Sequence, residues 1–197
     1  QVFRRPLPSG ALDRLIDLGR REKVCLELYT EETHFVEHDW RESRLHALSI
    51  RVTYEIESFD SFFGRTDVVK GQIITADDRA RAATRRIADA FAGVLRLSIA
   101  IPMAPCEGME CVNVVDDAVS KGSAVRALLD HYGLTRPQVA GAGDALNDLP
   151  MLGEVGFRIA MGNAEPDVKA AVDSVVADVE SDGLAEGIEL VLERNAG

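Results

Sequence analysis

The spacing of apolar residues divides the chain into two styles. Leu12, Leu15, Ile16 and Leu18 recur at helical intervals over 11–22, behind Ser9 as a candidate N-cap. KVCLELYT (23–30) reads as a strand, and THFVEHDW (33–40), ending in Trp40, as its hairpin partner. Residues 41–50 fit either period, and RVTYEI (51–56) fits a strand or the end of a helix. DVVKGQIIT (67–75) predicts a strand and 76–93 a helix, with Asp77 and Asp78 at its start and Gly93 at its end. Strands follow at 94–103 and 109–116.

Beyond that point short apolar runs alternate with helices. Residues 120–133 predict a helix capped by Ser120 and Gly133, with Ala124, Val125, Leu128, Leu129 and Tyr132 on one face. Strands at 137–144, 157–163 and 174–178 are separated by helices starting near Ala145 and over 164–173, and a helix over 181–195 closes the chain. Hairpin-like patterning therefore gives way near Asp116 to the grammar of a parallel sheet with helices on its faces.

Charge follows the same division. The 197 residues carry a net charge of −11, which argues against general nucleic-acid binding. Most of the excess lies in residues 116–197, with 6 Lys and Arg against 15 Asp and Glu, while residues 1–115 are nearly balanced and hold 14 arginines. The asymmetry suits a cation site in one part and anion contacts in the other, or simply two differently charged solvated surfaces. No stretch approaches about 18 uncharged apolar residues, so no membrane span is expected. Three cysteines, Cys25, Cys106 and Cys111, cannot all pair, and a disulfide scaffold is not expected. The opening QVFRRPLPSG lacks the apolar core of a signal peptide.

In open parallel sheets, ligands bind beyond the carboxyl ends of the strands. The strand VAGAG delivers GDALND (143–148) to that edge, where Gly143 allows close approach and Asp144, Asn147 and Asp148 bring three oxygen-bearing side chains together. Carboxylate oxygens there suit Mg²⁺. An aspartate that merely caps the following helix would fit the same spacing. Lys121 stands in the first turn of a helix, against the dipole, which makes sense where an anion must be held; an exposed lysine is tolerated there too.

SKGSAV, GAGDALNDLPML, MGNAEPDVKAAVD and SDGLAEGI, in this order and at these gaps, resemble the C-terminal half of the haloacid dehalogenase superfamily, nearest its Cof-type sugar and small-molecule phosphatases. The likeness is strong over 117–195. Residues 4–37 and 68–91 more loosely resemble that family's α+β cap. The resemblance implies an α/β protein with a Rossmann-like parallel-sheet core, incomplete at its N-terminus, and an α+β cap: 1–9 leading from the core, 10–116 the cap, 117–197 the core's C-terminal part. It implies Mg²⁺ as cofactor with Asp144 as ligand, and Asp148 in the metal and catalytic machinery, orienting a metal-bound water or Lys121. Asn147 would bind the phosphoryl group, Lys121 would bridge nucleophile and phosphate, and Gly162 and Asn163 would support the loop. The expected activity is a cytoplasmic Mg²⁺-dependent phosphomonoesterase acting through an aspartyl-phosphate on a sugar phosphate or similar small phosphorylated metabolite. A mannosyl-3-phosphoglycerate phosphatase, which GDALNDLP resembles, and a non-catalytic remnant with a binding or regulatory role are the alternatives.

One departure matters. The family's nucleophile ends a first strand in DxDGT, and its second motif is a Ser or Thr after the next strand; neither occurs here. The chain by itself is therefore expected not to turn over, and to be poorly soluble, oligomeric or partly disordered if it stands alone. Elsewhere, His34 and His38 are four apart in a predicted strand, about 13 Å, too far for a metal pair. Cys106 and Cys111 read as free thiols, Trp40 as core or rim rather than a sugar-stacking platform, and the arginines of 79–86 as a solvated face. Codons upstream of Gln1 test the reading: an in-frame apolar strand ending in DxDGT supports the enzyme, and a stop codon or unrelated sequence the remnant.

Overall fold

A computed structural model describes residues 2–100 and 106–196. Its contacts divide the chain into one unit, Arg4–Ala118, and a second from Val119 onward together with Val2 and Phe3. Among the described residues no helix is long and apolar enough to cross a membrane.

The first unit runs α1 (Ser9–Glu22), β1 (Cys25–Tyr29), β2 (His34–Val36), α2 (Arg41–Ile50), β3 (Tyr54–Ile56), β4 (Lys70–Thr75), α3 (Asp78–Ala90), β5 (Leu95–Ala100) and β6 (Glu110–Asp116). The strands form one sheet in the order β3-β2-β1-β4-β6-β5. All its pairs are antiparallel except β2 with β3, because α2 intervenes as a crossover where a hairpin would have reversed the chain. Strand side chains alternate faces. Leu26, Ile73 and Val112 lie in register and meet Leu12, Leu15 and Ile16 of α1 and Ala83 and Ile87 of α3 in one core. Complete burial of Leu15 or Ile16 contributes about 1.5–3 kcal/mol each.

The opposite face carries Glu27 and Gln72 in register, and α2 covers them. Glu27 is wholly buried. Its Oε2 accepts from Tyr29 Oη at 2.6 Å and lies 3.0 Å from His46 Nδ1, and Gln72 Nε2 stands 2.9 Å from His46 Nε2. The pattern is satisfied if His46 carries its proton on Nδ1 and accepts from Gln72 at Nε2. Beside this network Cys25, Cys106, Cys111 and Met109 form a small apolar cluster, and all three thiols are free and buried.

Local expectations shift in several places. Pro8, not Ser9, is the N-cap of α1, and its carbonyl accepts from Ala11 and Leu12. The strand expected over 33–40 stops at Val36, and Trp40 is the N-cap of α2 rather than a strand end. Helix α3 ends at Ala90, short of Gly93. The end of the strand expected over 94–103, from residue 101, lies outside the described residues. The arginines of α3 are not simply solvated: Arg79 donates to the carbonyls of Glu22 and Lys23 at 3.0 Å each, and Arg86 pairs with Glu22. These bonds satisfy the carbonyls of the last residue of α1 and of its C-cap, Lys23, which have no partner within the helix.

The second unit holds β7 (Ala140–Gly143), β8 (Phe157–Ala160) and β9 (Ser174–Val175), parallel and in that order, with α4 (Lys121–Tyr132), α5 (Leu149–Leu152), α6 (Pro166–Lys169) and α7 (Gly183–Ala196). Ser120 and Ser123 cap α4 reciprocally, and Gly133 ends it in the left-handed conformation. Of the apolar face expected on α4, only Leu129 is buried; Leu128 and Tyr132 are exposed. The buried side is set instead by Gly122, where an added Cβ would collide with the backbone of Pro150, so α4 seats its first turn against α5. The helix expected over 164–173 shrinks to the four residues of α6.

The Glu27 network sets a pH dependence. Burial alone would raise the Glu27 carboxyl, but the His46 ring and the Tyr29 hydroxyl outweigh it and hold the group below its ordinary 4.5. A depressed folded-state value contributes stability that is complete above the ordinary range and is lost as pH falls through the folded value. Thermal melts from about pH 6 to about pH 3 should therefore show Glu27→Gln with a shallower acid loss of Tm than the parent. Parallel pH curves would count against the assignment.

Candidate active site

Strand β7 ends at Gly143, and the chain turns at once into a 3₁₀ segment, Leu146–Asp148, that leads into α5. Asp148 closes this turn on itself. Its Oδ2 accepts from the amides of Asp144 at 3.1 Å and Ala145 at 3.2 Å. Its Oδ1 pairs with Lys121 Nζ, which α4 presents from its first residue. The side chain is buried while Lys121 is half exposed. Burial opposes ionisation of Asp148, but the Lys121 ammonium and the two amides override it and hold the carboxyl below the usual range. Gly143 makes the closure sterically possible. A Cβ there would stand 2.6 Å from Asp148 Cβ and 2.9 Å from Oδ2.

The same edge gathers the other expected residues. Asn147 Oδ1 lies 3.5 Å from Lys121 Nζ. Asp144 is exposed, and its Oδ2 accepts from Asn163 Nδ2 at 3.2 Å. Asn163 accepts in turn from the Val179 amide, and Gly162 donates its amide to Ala177 at 3.0 Å, so the loop after β8 is tied to the segment after β9. A side chain on Gly162 would strike the Asp178 amide at 2.7 Å. Lys121, Asn147 and Asp148 thus form one cluster, and Asp144 with Asn163 another, joined through the Asp144 amide. Among the described residues no group of three His, Cys, Asp or Glu is placed to hold a metal ion.

The sequence reading missed Glu165. Its amide donates to the Asp144 carbonyl at 2.9 Å, and its Oε1 accepts from the Leu146 amide at 3.2 Å, bracing the turn from outside. Its place at the N-cap of α6, just before Pro166, was the available signal.

The family model for haloacid dehalogenase-like hydrolases matches residues 1–188. The chain belongs to that family. An HMP-PP phosphatase of an Enterobacter species is 47% identical over 62 residues, 32% of this chain and 23% of that protein. A phosphoglycolate phosphatase of Methanothermobacter thermautotrophicus is 34% identical over 77 residues, 39% of this chain and 35% of that protein. The chain thus spans about a quarter to a third of these curated relatives. A crystal structure of a Thermotoga maritima protein superposes with a TM-score of 0.81 over 93% of this chain and 67% of that one, at 24% identity, a likeness of fold. The haloacid dehalogenase-like α/β architecture, a parallel sheet with an α+β cap, is therefore the frame in which the Lys121–Asp148 pair sits.

The closure at Gly143 is testable by stability. Gly143→Ala forces Asp148 aside and should cost about 1–3 kcal/mol. Asp148→Asn keeps the shape and gives up a pair whose lysine is half exposed, and should cost less, about 1 kcal/mol. Urea unfolding at neutral pH measures both; the reverse order would show that charge rather than space governs the turn.

Proposed function

We propose that the chain is the cap and the C-terminal part of the core of a Mg²⁺-dependent phosphomonoesterase for a sugar phosphate or similar small phosphorylated metabolite. The observation that carries the reading is the buried Asp148 carboxylate holding the Lys121 ammonium beside Asn147 at a strand end. Family membership and the phosphatases among the relatives support it.

In this reading Asp148 is a positioning residue. It fixes the Lys121 ammonium by direct contact and fixes the turn by two amides. Lys121 neutralises the phosphate and the attacking carboxylate, which would otherwise repel each other. Asn147 offers its amide nitrogen to a phosphoryl oxygen. The nucleophile is an aspartate in a DxDGT run, which residues 1–197 do not contain.

The donor set suits a hard cation at one position. Asp144 is exposed, and its Oδ1 takes no partner among the described residues, whereas both oxygens of Asp148 are engaged. Asp144 would therefore hold Mg²⁺, with Asp148 behind it. The bound ion supplies further charge neutralisation for the phosphoryl oxygens.

The test is hydrolysis of p-nitrophenyl phosphate by the complete protein as a function of Mg²⁺. Asp144→Asn and Lys121→Ala should each lower the rate by about 10²–10³, and Asp144→Asn should also raise the Mg²⁺ requirement. Asp130→Asn, exposed on the last turns of α4, should stay within about threefold, less than ~0.7 kcal/mol. An Asp144→Asn enzyme within that same range in both rate and Mg²⁺ dependence would defeat the assignment.

A further inference from the structure

Three residues break local rules at one place in the first unit. Trp40 occupies the N-cap of α2, where Ser, Thr, Asn or Asp would bond the free amides, and it makes no capping hydrogen bond. Lys23 ends α1 at φ 52°, ψ 49°, a left-handed conformation that glycine adopts without strain. Gly19 interrupts the buried face of α1 where alanine would favour the helix. All three line a single cavity of about 350 Å³.

The floor of this cavity is apolar: Ile16, Val24, Leu26 and Phe59, each at most 4% exposed. Gly19 keeps one wall thin, since a methyl there would stand 3.1 Å from Leu26 Cδ2. The Trp40 ring forms another wall, and His38 meets it edge-on with centroids 5.9 Å apart. The polar rim is one-sided. Glu37 is saturated, accepting from Arg20 through both oxygens and from the Phe59 amide at 2.9 Å, and Arg20 also binds Asp60. The Lys23 ammonium, the Trp40 indole N–H and the His38 ring have no hydrogen-bond partner among the described residues. The unused side-chain capacity at the rim therefore includes no carboxylate, and its fixed members are donors.

We propose that this cavity binds a small planar aromatic molecule bearing an anionic group. The ring stacks on Trp40 over the apolar floor, and the anion takes the Lys23 ammonium and the indole N–H. The site lies wholly within the Arg4–Ala118 unit and goes beyond the phosphatase reading, whose residues all follow Val119.

Trp40 is the chain's single tryptophan, which makes it a reporter. The experiment uses the full chain labelled with 5-fluorotryptophan, whose one ¹⁹F resonance is followed as 2-naphthoate is added. The resonance should shift saturably, with half-saturation below about 1 mM. Naphthalene-2-methanol, which lacks the charge, and cyclohexanecarboxylate, which lacks the ring, should each bind about tenfold or more weakly. Lys23→Gln should weaken 2-naphthoate about tenfold. Lys23→Gly should weaken it equally while leaving Tm unchanged or higher, because the left-handed backbone suits glycine. Calorimetric titration of unlabelled protein should return the same affinity. No saturable shift up to about 10 mM, equal binding of the neutral analogue, or unchanged affinity in both Lys23 variants would each overturn the proposal.

Discussion

Where β7 ends, a carboxylate and a backbone must share a space that leaves no room for a side chain. Asp148 reaches the amides of Asp144 and Ala145 only because position 143 carries no Cβ, and Gly122 applies the same rule where α4 meets Pro150. Together the two glycines let Lys121 and Asp148 approach from different elements. The charge relations at the strand end follow from that steric allowance: a buried acid kept ionised by one ammonium and two amides, with Asn147 alongside and Asp144 left facing out. Electrostatics sets what the cluster can do, but packing sets that it exists.

The first unit solves a different problem on each face of its sheet. One face is a conventional apolar core under α1 and α3. The other buries Glu27, His46 and Gln72 beneath α2 and pays for that burial with a closed hydrogen-bond chain, except at Glu27 Oε1, which finds no partner among the described residues. Next to that network lies the cysteine cluster, whose thiols burial makes poor nucleophiles, Cys111 being pushed up to about 11. A sheet face of this mixed character is held less by area than by satisfied polarity, and its integrity is correspondingly sensitive to protonation.

Much of this was legible in residue order. The change from hairpin to alternating patterning, the caps of α4 at Ser120 and Gly133, and the strands β1, β4, β6 and β7 could be read from period and turn residues. What escaped were features decided by distant partners. The parallel pairing of β2 with β3 depends on α2 forming as a crossover, and residues 41–50 carry no clean period. The exposure of Leu128 and Tyr132 depends on which side of α4 Pro150 occupies. At the candidate site, GDALND announced converging oxygens, and Asp148 turned out both to cap its own turn, as a spacing argument allowed, and to hold Lys121. Glu165 went unseen because its contribution is made across nineteen residues of chain, to backbone rather than to another charge.

The bonds from Arg79 to the carbonyls of Glu22 and Lys23 also bear on how α1 and α3 are joined. The end of α1 is completed by a side chain 56 and 57 residues away, reinforced by Arg86 on Glu22. The turn itself is already closed locally, by the amides of Lys23 on Arg20 and of Val24 on Gly19, so what α3 adds is a tie to the two carbonyls that this local cap leaves over. The helix end thus stands on its own short-range bonds, and the guanidinium of Arg79 works as a clasp between neighbouring helices rather than as part of either one.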